Sequence, residues 1–352
     1  MRPDRHGIDL LLLHRRLVRL ASFADLMPDE LTPLPAAGIT NLHVRLGARG
    51  LVARIPLVCF HSMAPAMNLD YQATSFRRAG ASGRVPRLRA LIRPARGLPL
   101  GCLVVEEVQG RPAHAIDDLP AIADTLAAIH ALPMPPPEGY RPLIAIRNPV
   151  QHLARTACDA WAGIPSRWLD PSAAAQVREE IGWARNVAAA ADPATQPRRL
   201  IATDPHAGNF VVDASGRAIL IDLDQCYYGA PMVDLARASM PVADSWDPAA
   251  PFGAPASAIL AFERAWAAAV PADLAAAARP WLRPVRRLVW LMHLGHGARA
   301  WLSPDGPAGP AATVFDPVRQ AAMRAAVRFR VRPESVARMR RQWLGPGALP
   351  DP

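Results

Sequence analysis

The stretch Ile201–Asp224, which reads IATDPHAGNFVVDASGRAILIDLD, contains two short apolar runs separated by polar and small residues. The runs Phe210–Val212 and Ala218–Ile221 are predicted to be strands. The segment between them, Asp213–Gly216, is typical of a tight turn, because Gly adopts positive φ and Asp and Ser bond their own backbone. The stretch therefore predicts a β-hairpin.

Three oxygen-bearing side chains surround this predicted hairpin. Asn209 precedes the first strand and Asp222 follows the second, so the hairpin should place them side by side, with Asp204 upstream on the same loop. Carboxylate and amide oxygens are the donors that Mg²⁺ prefers. Asp and Asn are common in ordinary turns, so either half alone favours a structural role. The combination is more specific, because kinase-type enzymes place a base and two metal ligands in this way.

Length and composition favour a globular protein of two lobes. The chain has 352 residues, of which 51% are hydrophobic and 20% charged, and it contains no continuous apolar span long enough to cross a bilayer. The four cysteines, Cys59, Cys102, Cys158 and Cys226, are widely scattered. A zinc site or a disulfide framework is therefore not expected, and the predicted location is the cytoplasm.

A net charge of +10 could indicate a protein that binds nucleic acid,. However, the chain has no Lys, and all 40 basic residues are Arg, which indicates a compositional bias. No nucleic-acid-binding motif accompanies the charge, so no nucleic-acid partner is expected. The densest basic segment, Arg324–Arg341, is interpreted as a solvated helix face, with an anionic-surface contact as the alternative.

The order of patterns along the chain predicts an α+β fold with two lobes. Residues 1–30 form a helical lead-in, residues 31–109 a small β-rich N-lobe, and residues 110–352 a larger, mainly helical C-lobe that carries the hairpin. Within the N-lobe, strands are expected near residues 42–46, 51–55 and 102–108, with a helix over 67–80. The small-residue loop Gly38–Asn41 would let backbone amides approach phosphates, and a ligand would bind in the cleft between the lobes.

These motifs resemble the aminoglycoside phosphotransferase and choline kinase superfamily, which has a protein-kinase-like fold. The segment ATDPHAGN supplies Asp204, His206 and Asn209; IDLD supplies Asp222 and Asp224; and GAPMVDLA supplies Asp234. The segment LAAIHALP, with His130, is similar to the family's helix before its insert, and GITN to LVARIP is similar to the nucleotide-binding hairpin. The resemblance covers about residues 36–240.

The resemblance implies an ATP-dependent kinase that transfers the γ-phosphate to the hydroxyl of a small molecule, with Mg²⁺ as the metal. It implies Asp204 as the catalytic base and Asn209 and Asp222 as metal ligands. Supporting roles would fall to His206, which braces the loop, to Asp224, which assists the metal or faces the substrate, and to Asp234, which anchors the catalytic loop. The residues assigned to the nucleotide are Arg54, Gly38, Thr40, Asn41, Gln72 and Glu107.

Four positions depart from the family pattern. Ala202 and Thr203 replace the His and Gly that precede the catalytic Asp, and Arg54 replaces a residue that is often Lys. Gln72 stands where a helix Glu normally pairs with that cation, so an Arg–Gln hydrogen bond is expected, with Asp70 as a substitute partner. These departures motivate an alternative function, a nucleotide-binding pseudokinase that acts as an adaptor or regulator.

The substrate is the least determined feature. Trp290, His293 and Trp301 lie on one predicted helix in a region where the family often places substrate contacts, although helix packing is the favoured interpretation for most of the tryptophans. An aromatic cage for a quaternary ammonium or an acidic cleft of Asp204, Asp222 and Asp224 would suit a cationic substrate. The sequence leaves choline-, thiamine- and aminoglycoside-like compounds, amino alcohols, sugars and nucleosides open, and also the oligomeric state.

Overall fold

The structure is a computed structural model that describes residues 9–35, 40–60, 62–240, 253–303 and 317–350. Gly38 of the predicted phosphate-binding loop therefore lies outside the described residues.

An antiparallel five-stranded sheet forms the first half of the fold, with the strand order β1-β2-β3-β5-β4. Its strands are β1 Leu31–Pro33, β2 Asn41–Leu46, β3 Leu51–Pro56, β4 Leu88–Ile92 and β5 Cys102–Glu106, and helices α1 Leu10–Leu17 and α2 Pro65–Gly80 accompany it. β3 lies at the centre of the sheet between β2 and β5. Arg54, near its end, pairs across to His43 and Leu103.

Helix α1 packs into the same apolar core as the five-stranded sheet. Asp9 begins the helix, since its Oδ1 accepts hydrogen bonds from the backbone N–H groups of Leu11 and Leu12 at 2.9 and 3.2 Å,. The helix buries Leu13 and Leu17 in the same apolar core as the strands of the sheet. The described part of the first 30 residues thus shares a core with the strands that follow it.

The second half of the fold is mainly helical. Its helices are α3 Leu119–His130, α4 Pro149–Trp161, α5 Pro171–Ala190, α6 Met232–Ser239, α7 Ala256–Ala269, α8 Ala272–Ala278, α9 Leu282–Trp301, α10 Pro317–Arg330 and α11 Pro333–Arg340. Short strands lie among them: β6 Arg111–Pro112, β7 Arg199–Ile201, β8 Phe210–Val212, β9 Ala218–Leu220 and β10 Tyr227–Gly229. α3, α4, α6, α7 and α9 bury one continuous apolar core.

The hairpin predicted from the sequence is formed by β8 and β9, with Phe210 opposite Leu220 and Val212 opposite Ala218. Its turn is held by Asp213, whose Oδ1 accepts from the N–H groups of Ser215 and Arg217 at 2.9 and 3.1 Å. Gly216 has a φ of 81°, in the left-handed region that favours glycine,. Local turn chemistry therefore fixes the register that brings residues 209 and 222 together.

The α+β architecture predicted from the sequence, a small sheet followed by a mainly helical region, is confirmed. No helix in the described parts of the chain has the length and apolarity that a bilayer crossing requires.

Candidate active site

The hairpin ends place Asn209 and Asp222 side by side, as expected from the sequence. The N–H of Ile221 donates to the carbonyl of Asn209 at 2.9 Å, which closes the hairpin immediately before Asp222. The Asn209 Nδ2 donates to the carbonyl oxygen of Asp204 at 2.7 Å. This bond orients the Asn209 amide and ties it to the loop that carries Asp204.

Asp204 lies at the open end of this loop beside two basic side chains. Its carboxylate is 3.6 Å from Nη2 of Arg237 and 3.8 Å from Nε2 of His206. Asp204 and Asp222 each keep 30% of the side chain exposed, so both can reach a ligand. Arg237, which the sequence analysis did not single out, also donates to the carbonyl of Thr203.

Asp234 holds the backbone that leads to Asp204. Fully buried at the start of α6, it accepts hydrogen bonds from the N–H groups of Ala202 and Thr203 at 2.7 and 2.8 Å. Its Oδ2 also lies 3.1 Å from Nε2 of His130. A buried carboxylate with three donors is a stable anchor, because its charge is matched by hydrogen bonds.

The His130 tautomer follows from its two neighbours. Trp266 Nε1 can only donate, and it lies 3.0 Å from Nδ1 of His130, so this nitrogen must accept,. The Nε2 of His130 therefore carries the proton and donates to Asp234. The hydrogen bonds from Trp266 on α7 through His130 on α3 to Asp234 link two helices to the loop that carries Asp204.

Arg54 reaches from the sheet to the segment after the hairpin. Its Nη1 donates to the carbonyl of Ile221 at 2.8 Å, and its Nη2 donates to Asp222 and Asp224 at 3.2 and 2.9 Å. Phe76 on α2 covers the guanidinium, with 5.4 Å from Cζ to the ring centroid,. Arg54 therefore connects β3 to the proposed metal ligand.

Asp224 is buried between the two halves of the fold. Asn41 Nδ2 donates to its Oδ2 at 2.6 Å, and Thr40 accepts from the same Asn41 amide at 3.0 Å. Burial raises the pKa of Asp224 to about 6, and the charge of Asp222 adds to this effect, while Arg54 and Asn41 act in the opposite direction,. Asp224 thus holds Arg54 and Asn41 rather than facing an open cleft.

The expected partners of Arg54 on α2 are not its partners in the structure. Both amide atoms of Gln72 are buried without a hydrogen bond among the described residues, and Asp70 pairs instead with Arg93 at 2.7 Å. Asp70 and Gln72 are two residues apart and so point to different sides of the helix. A neutral amide also competes poorly with two carboxylates for a guanidinium.

Glu107 stands at the end of the sheet, where the chain leaves β5. Its carboxylate accepts from Nε and Nη2 of Arg45 at 2.9 and 2.6 Å, and its N–H donates to the carbonyl of Gly50 at 2.8 Å. The Glu107 carboxylate is therefore paired with Arg45 on β2. The backbone N–H of Glu107 holds the start of the segment that connects the lobes.

The three candidate substrate residues on α9 have different surroundings. Trp290 and Trp301 are buried in the apolar core, and the Trp290 ring lies 5.2 Å from that of Trp343. These positions favour the packing interpretation for both tryptophans. His293 has a buried Nε2 without a hydrogen-bond partner in the described chain, and it lies within electrostatic range of Arg237 and His206.

The donor set fits a magnesium ion, which the family implies. With Nδ2 of Asn209 committed to Asp204, its Oδ1 is left to accept, and Asp222 adds a half-exposed carboxylate. Among the described residues no group of three or more His, Cys, Asp or Glu side chains could hold a metal ion alone. Mg²⁺ commonly uses one or two protein oxygens together with phosphates and waters, so the set is suitable.

Arg237 and Trp266 are the residues that sequence reasoning missed. Arg237 follows Asp234 by three positions on α6, so the two share a helix face, and this spacing could have revealed it,. Trp266 offered no such signal, because its contact with His130 joins residues 136 positions apart.

A family model matches most of the chain. The model of the phosphotransferase enzyme family, APH, matches residues 30–285, which is well over half of the chain. A search of curated proteins gave no match.

Solved structures share the fold at low identity. Choline kinase from Cryptosporidium parvum has a TM-score of 0.60 at 10% identity and covers 95% of each chain. A microcompartment-associated aminopropanol kinase has a TM-score of 0.56 at 17% identity and covers 98% of this chain and all of its own. Macrolide 2'-phosphotransferase from Brachybacterium faecium has a TM-score of 0.54 at 16% identity and covers 91% of this chain and 97% of its own. The chain belongs to the APH phosphotransferase enzyme family, within the protein-kinase-like superfamily.

Proposed function

We propose that the protein transfers the γ-phosphate of ATP to a hydroxyl group of a small molecule, with Asp204 as the general base. The observation that carries this proposal is the juxtaposition of Asp204, Asn209 and Asp222 through the hydrogen bond from Asn209 to the Asp204 carbonyl at 2.7 Å. In the reaction, the hydroxyl oxygen of the substrate bonds to the γ-phosphorus, its proton passes to Asp204, and ADP leaves.

The nucleotide is proposed to bind in the cleft between the lobes, residues 31–109 and 110–352. Thr40 and Asn41 would border it from β2, and the backbone at Glu107 from the lobe connection, with Gly38 and Gln72 as further nucleotide-side positions. Arg54 would add positive charge beside the phosphates while it holds Asp222 in place. Asn209 and Asp222 would hold Mg²⁺, which when bound neutralises phosphate charge.

Two solved structures of the same fold support the choice of nucleotide. A spectinomycin phosphotransferase with a TM-score of 0.55 was solved with ADP, and a hygromycin-binding phosphotransferase with a TM-score of 0.51 was solved with AMP-PNP. The site gives no separate support to a pseudokinase, because the base and both metal-binding positions are present and accessible.

The test is ATP turnover with Mg²⁺ across a panel of hydroxyl compounds, including choline, thiamine, aminoglycosides, homoserine, sugars and hydroxy acids. We expect Asp204→Asn to lower turnover about 10²- to 10⁴-fold, because it removes the base. Asp124→Asn, at an exposed position on α3, is the matched control and should keep full activity. Equal activity in the Asp204 variant would contradict the assignment, and nucleotide binding without turnover of any compound would favour the pseudokinase.

A further inference from the structure

Besides Asp234, a second side chain of α6 reaches the loop that carries Asp204. Arg237 follows Asp234 by three positions and therefore lies on the same face of the helix,. Its Nη1 donates to the carbonyl of Thr203, and its Nη2 lies 3.6 Å from Oδ1 of Asp204. One guanidinium thus contacts both the backbone before the proposed base and the carboxylate of the base.

The guanidinium of Arg237 is held by its two Nη groups. Its Nε is buried and has no hydrogen-bond partner among the described residues. The 3.6 Å between Nη2 and the Asp204 carboxylate is longer than a normal N–H···O hydrogen bond,. Arg237 therefore attracts the carboxylate through its charge and does not itself hydrogen-bond the oxygen that it faces.

The backbone of Thr203 requires such support, because it lies in the left-handed region. Its φ is 72°, in a conformation that the Cβ of an ordinary residue disfavours by a factor of about 5 to 30,. The N–H of Thr203 donates to Asp234 at 2.8 Å, and its carbonyl accepts from Arg237. These groups belong to the peptide planes on either side of Thr203, so fixing both planes fixes its φ and ψ.

The second of these peptide planes joins Thr203 to Asp204. Without the bond from Arg237, this plane can rotate as Thr203 relaxes toward a negative φ, and Asp204 moves with it. The Asp204 carboxylate would lose its cationic neighbour at the same time. A base for phosphoryl transfer must meet the attacking hydroxyl in a defined geometry, so both changes would reduce the rate of the chemical step.

We propose that Arg237 is a positioning residue for the phosphoryl transfer. It holds the left-handed backbone of Thr203 and the carboxylate of Asp204 together, and so sets the direction from which the base meets the substrate hydroxyl. This inference rests on the proposed function, since it assigns a role within the same site.

The first test measures kcat and KM of Arg237→Met with a compound that the wild type phosphorylates. We expect kcat to fall about 10- to 100-fold, because a base displaced by about 1 Å loses this much. The KM for ATP should change by less than about threefold, because the contacts of Arg237 are to the loop of Asp204,. Arg178→Met, at an exposed position on α5, controls for the loss of one guanidinium and should keep full activity.

The second test determines whether the effect of Arg237 depends on the backbone of residue 203. Arg237→Met is measured in the wild type, in Thr203→Ala and in Thr203→Gly. We expect the loss of kcat to be about tenfold smaller with Thr203→Gly, because glycine adopts positive φ without a steric cost. Thr203→Ala is the matched control. It also removes the hydroxyl that donates to the Gln225 carbonyl at 3.3 Å, but its Cβ keeps the left-handed conformation unfavourable,.

The third test separates geometry from charge. Arg237→Lys keeps the positive charge, but a single ammonium group cannot reproduce the two contacts of the planar guanidinium. We expect its kcat to stay at least about threefold below that of the wild type.

Three results would each overturn the positioning role: an unchanged kcat in Arg237→Met, full activity in Arg237→Lys, or equal losses of kcat from Arg237→Met in Thr203→Ala and Thr203→Gly. Circular dichroism and AMP-PNP binding identify a variant that has lost its fold, and Arg237→Lys replaces Arg237→Met in the three backgrounds if the latter does not fold. Absence of turnover by the wild type on every compound of the panel overturns the proposed function and this role with it. Turnover by the wild type that Arg237→Met retains in full overturns the positioning role alone.

Discussion

Thr203, the residue before the proposed base, adopts a left-handed backbone conformation with a φ of 72°. The family pattern has Gly at this position, and a β-branched residue there costs about 1–2 kcal/mol. Thr203 therefore has the backbone conformation that glycine adopts readily, although it is not a glycine. Asp234 accepts from the Thr203 N–H at 2.8 Å, and Arg237 donates to its carbonyl, so both sides of this peptide are held. The peptide groups on both sides of Thr203, and with them the backbone leading to Asp204, are therefore held by hydrogen bonds.

Asp234→Asn should release this peptide. The carboxylate now accepts from Ala202, Thr203 and His130, and an amide can keep only the bonds to its oxygen while its NH₂ group faces a donor,. We expect the free energy of unfolding to fall by about 2–3 kcal/mol and turnover to fall with it, because the loop carrying Asp204 loosens. Urea unfolding followed by circular dichroism measures the first effect.

Asp124→Asn, which is exposed on α3, controls for the loss of one negative charge. A stability change in Asp234→Asn no larger than in this control would show that the buried carboxylate is not the anchor of the loop. Full turnover with reduced stability would instead limit its role to folding.

At the scale of single elements, helix α1 supports the sheet that carries Arg54. It buries Leu13 and Leu17 in the apolar core that the strands of the sheet share, although it precedes the residues predicted to form the N-lobe. We expect Leu17→Ala to lower the free energy of unfolding by about 2–5 kcal/mol, since it leaves a cavity in this core. Leu11→Ala on the same helix removes an exposed side chain and should change stability by less than about 0.5 kcal/mol,.

The two variants are compared by denaturant unfolding and by KM for ATP. A rise in KM in Leu17→Ala alone would indicate that α1 positions the nucleotide side of the site through the sheet. Equal stability of the two variants would contradict the packing of α1 into the N-lobe core.

Elements built by neighbouring residues were predictable from the sequence, and contacts between distant residues were not. The turn Asp213–Gly216 fixes its hairpin through bonds spanning four residues or fewer, so the pairing of Asn209 with Asp222 followed directly. Arg54 pairs with Asp222 and Asp224 across 168 and 170 residues, and no local pattern shows which carboxylate it meets. The expectation of Gln72 or Asp70 as its partner came from the family arrangement, and the two carboxylates after the hairpin displaced it.

Across the whole molecule, the two lobes are joined at the place where the nucleotide is proposed to bind. Arg54 and Asn41 extend from the sheet to Ile221, Asp222 and Asp224. The hydroxyl of Tyr71 on α2 adds a hydrogen bond to the Cys226 carbonyl at 2.7 Å. Residues that would bind phosphate and metal therefore also hold the lobes together, so the stability of one lobe should depend on charges in the other.

Arg54→Met tests this coupling. It leaves Asp224, which is almost fully buried, without its cation, and removing one member of a buried ion pair costs about 3–5 kcal/mol,. The double variant Arg54→Met/Asp224→Asn should recover part of the loss, because the carboxylate that remains without its cation, Asp222, is partly exposed rather than buried, and the coupling energy should exceed about 1 kcal/mol,. Arg89→Met, which breaks an exposed ion pair on the same sheet, is the control and should cost less than about 1 kcal/mol,.

Tryptophan fluorescence makes the measurement specific to the other lobe. All nine tryptophans lie at or beyond residue 161, so their unfolding signal reports the helical lobe, whereas Arg54 lies on β3 of the sheet. If the lobes are coupled through Arg54, Arg54→Met lowers the denaturant midpoint measured by fluorescence together with the midpoint measured by circular dichroism. In the double variant both midpoints move part of the way back to the wild-type values. A fluorescence midpoint that stays at the wild-type value would mean that the helical lobe unfolds independently and that the ion pairs of Arg54 stabilise the sheet alone.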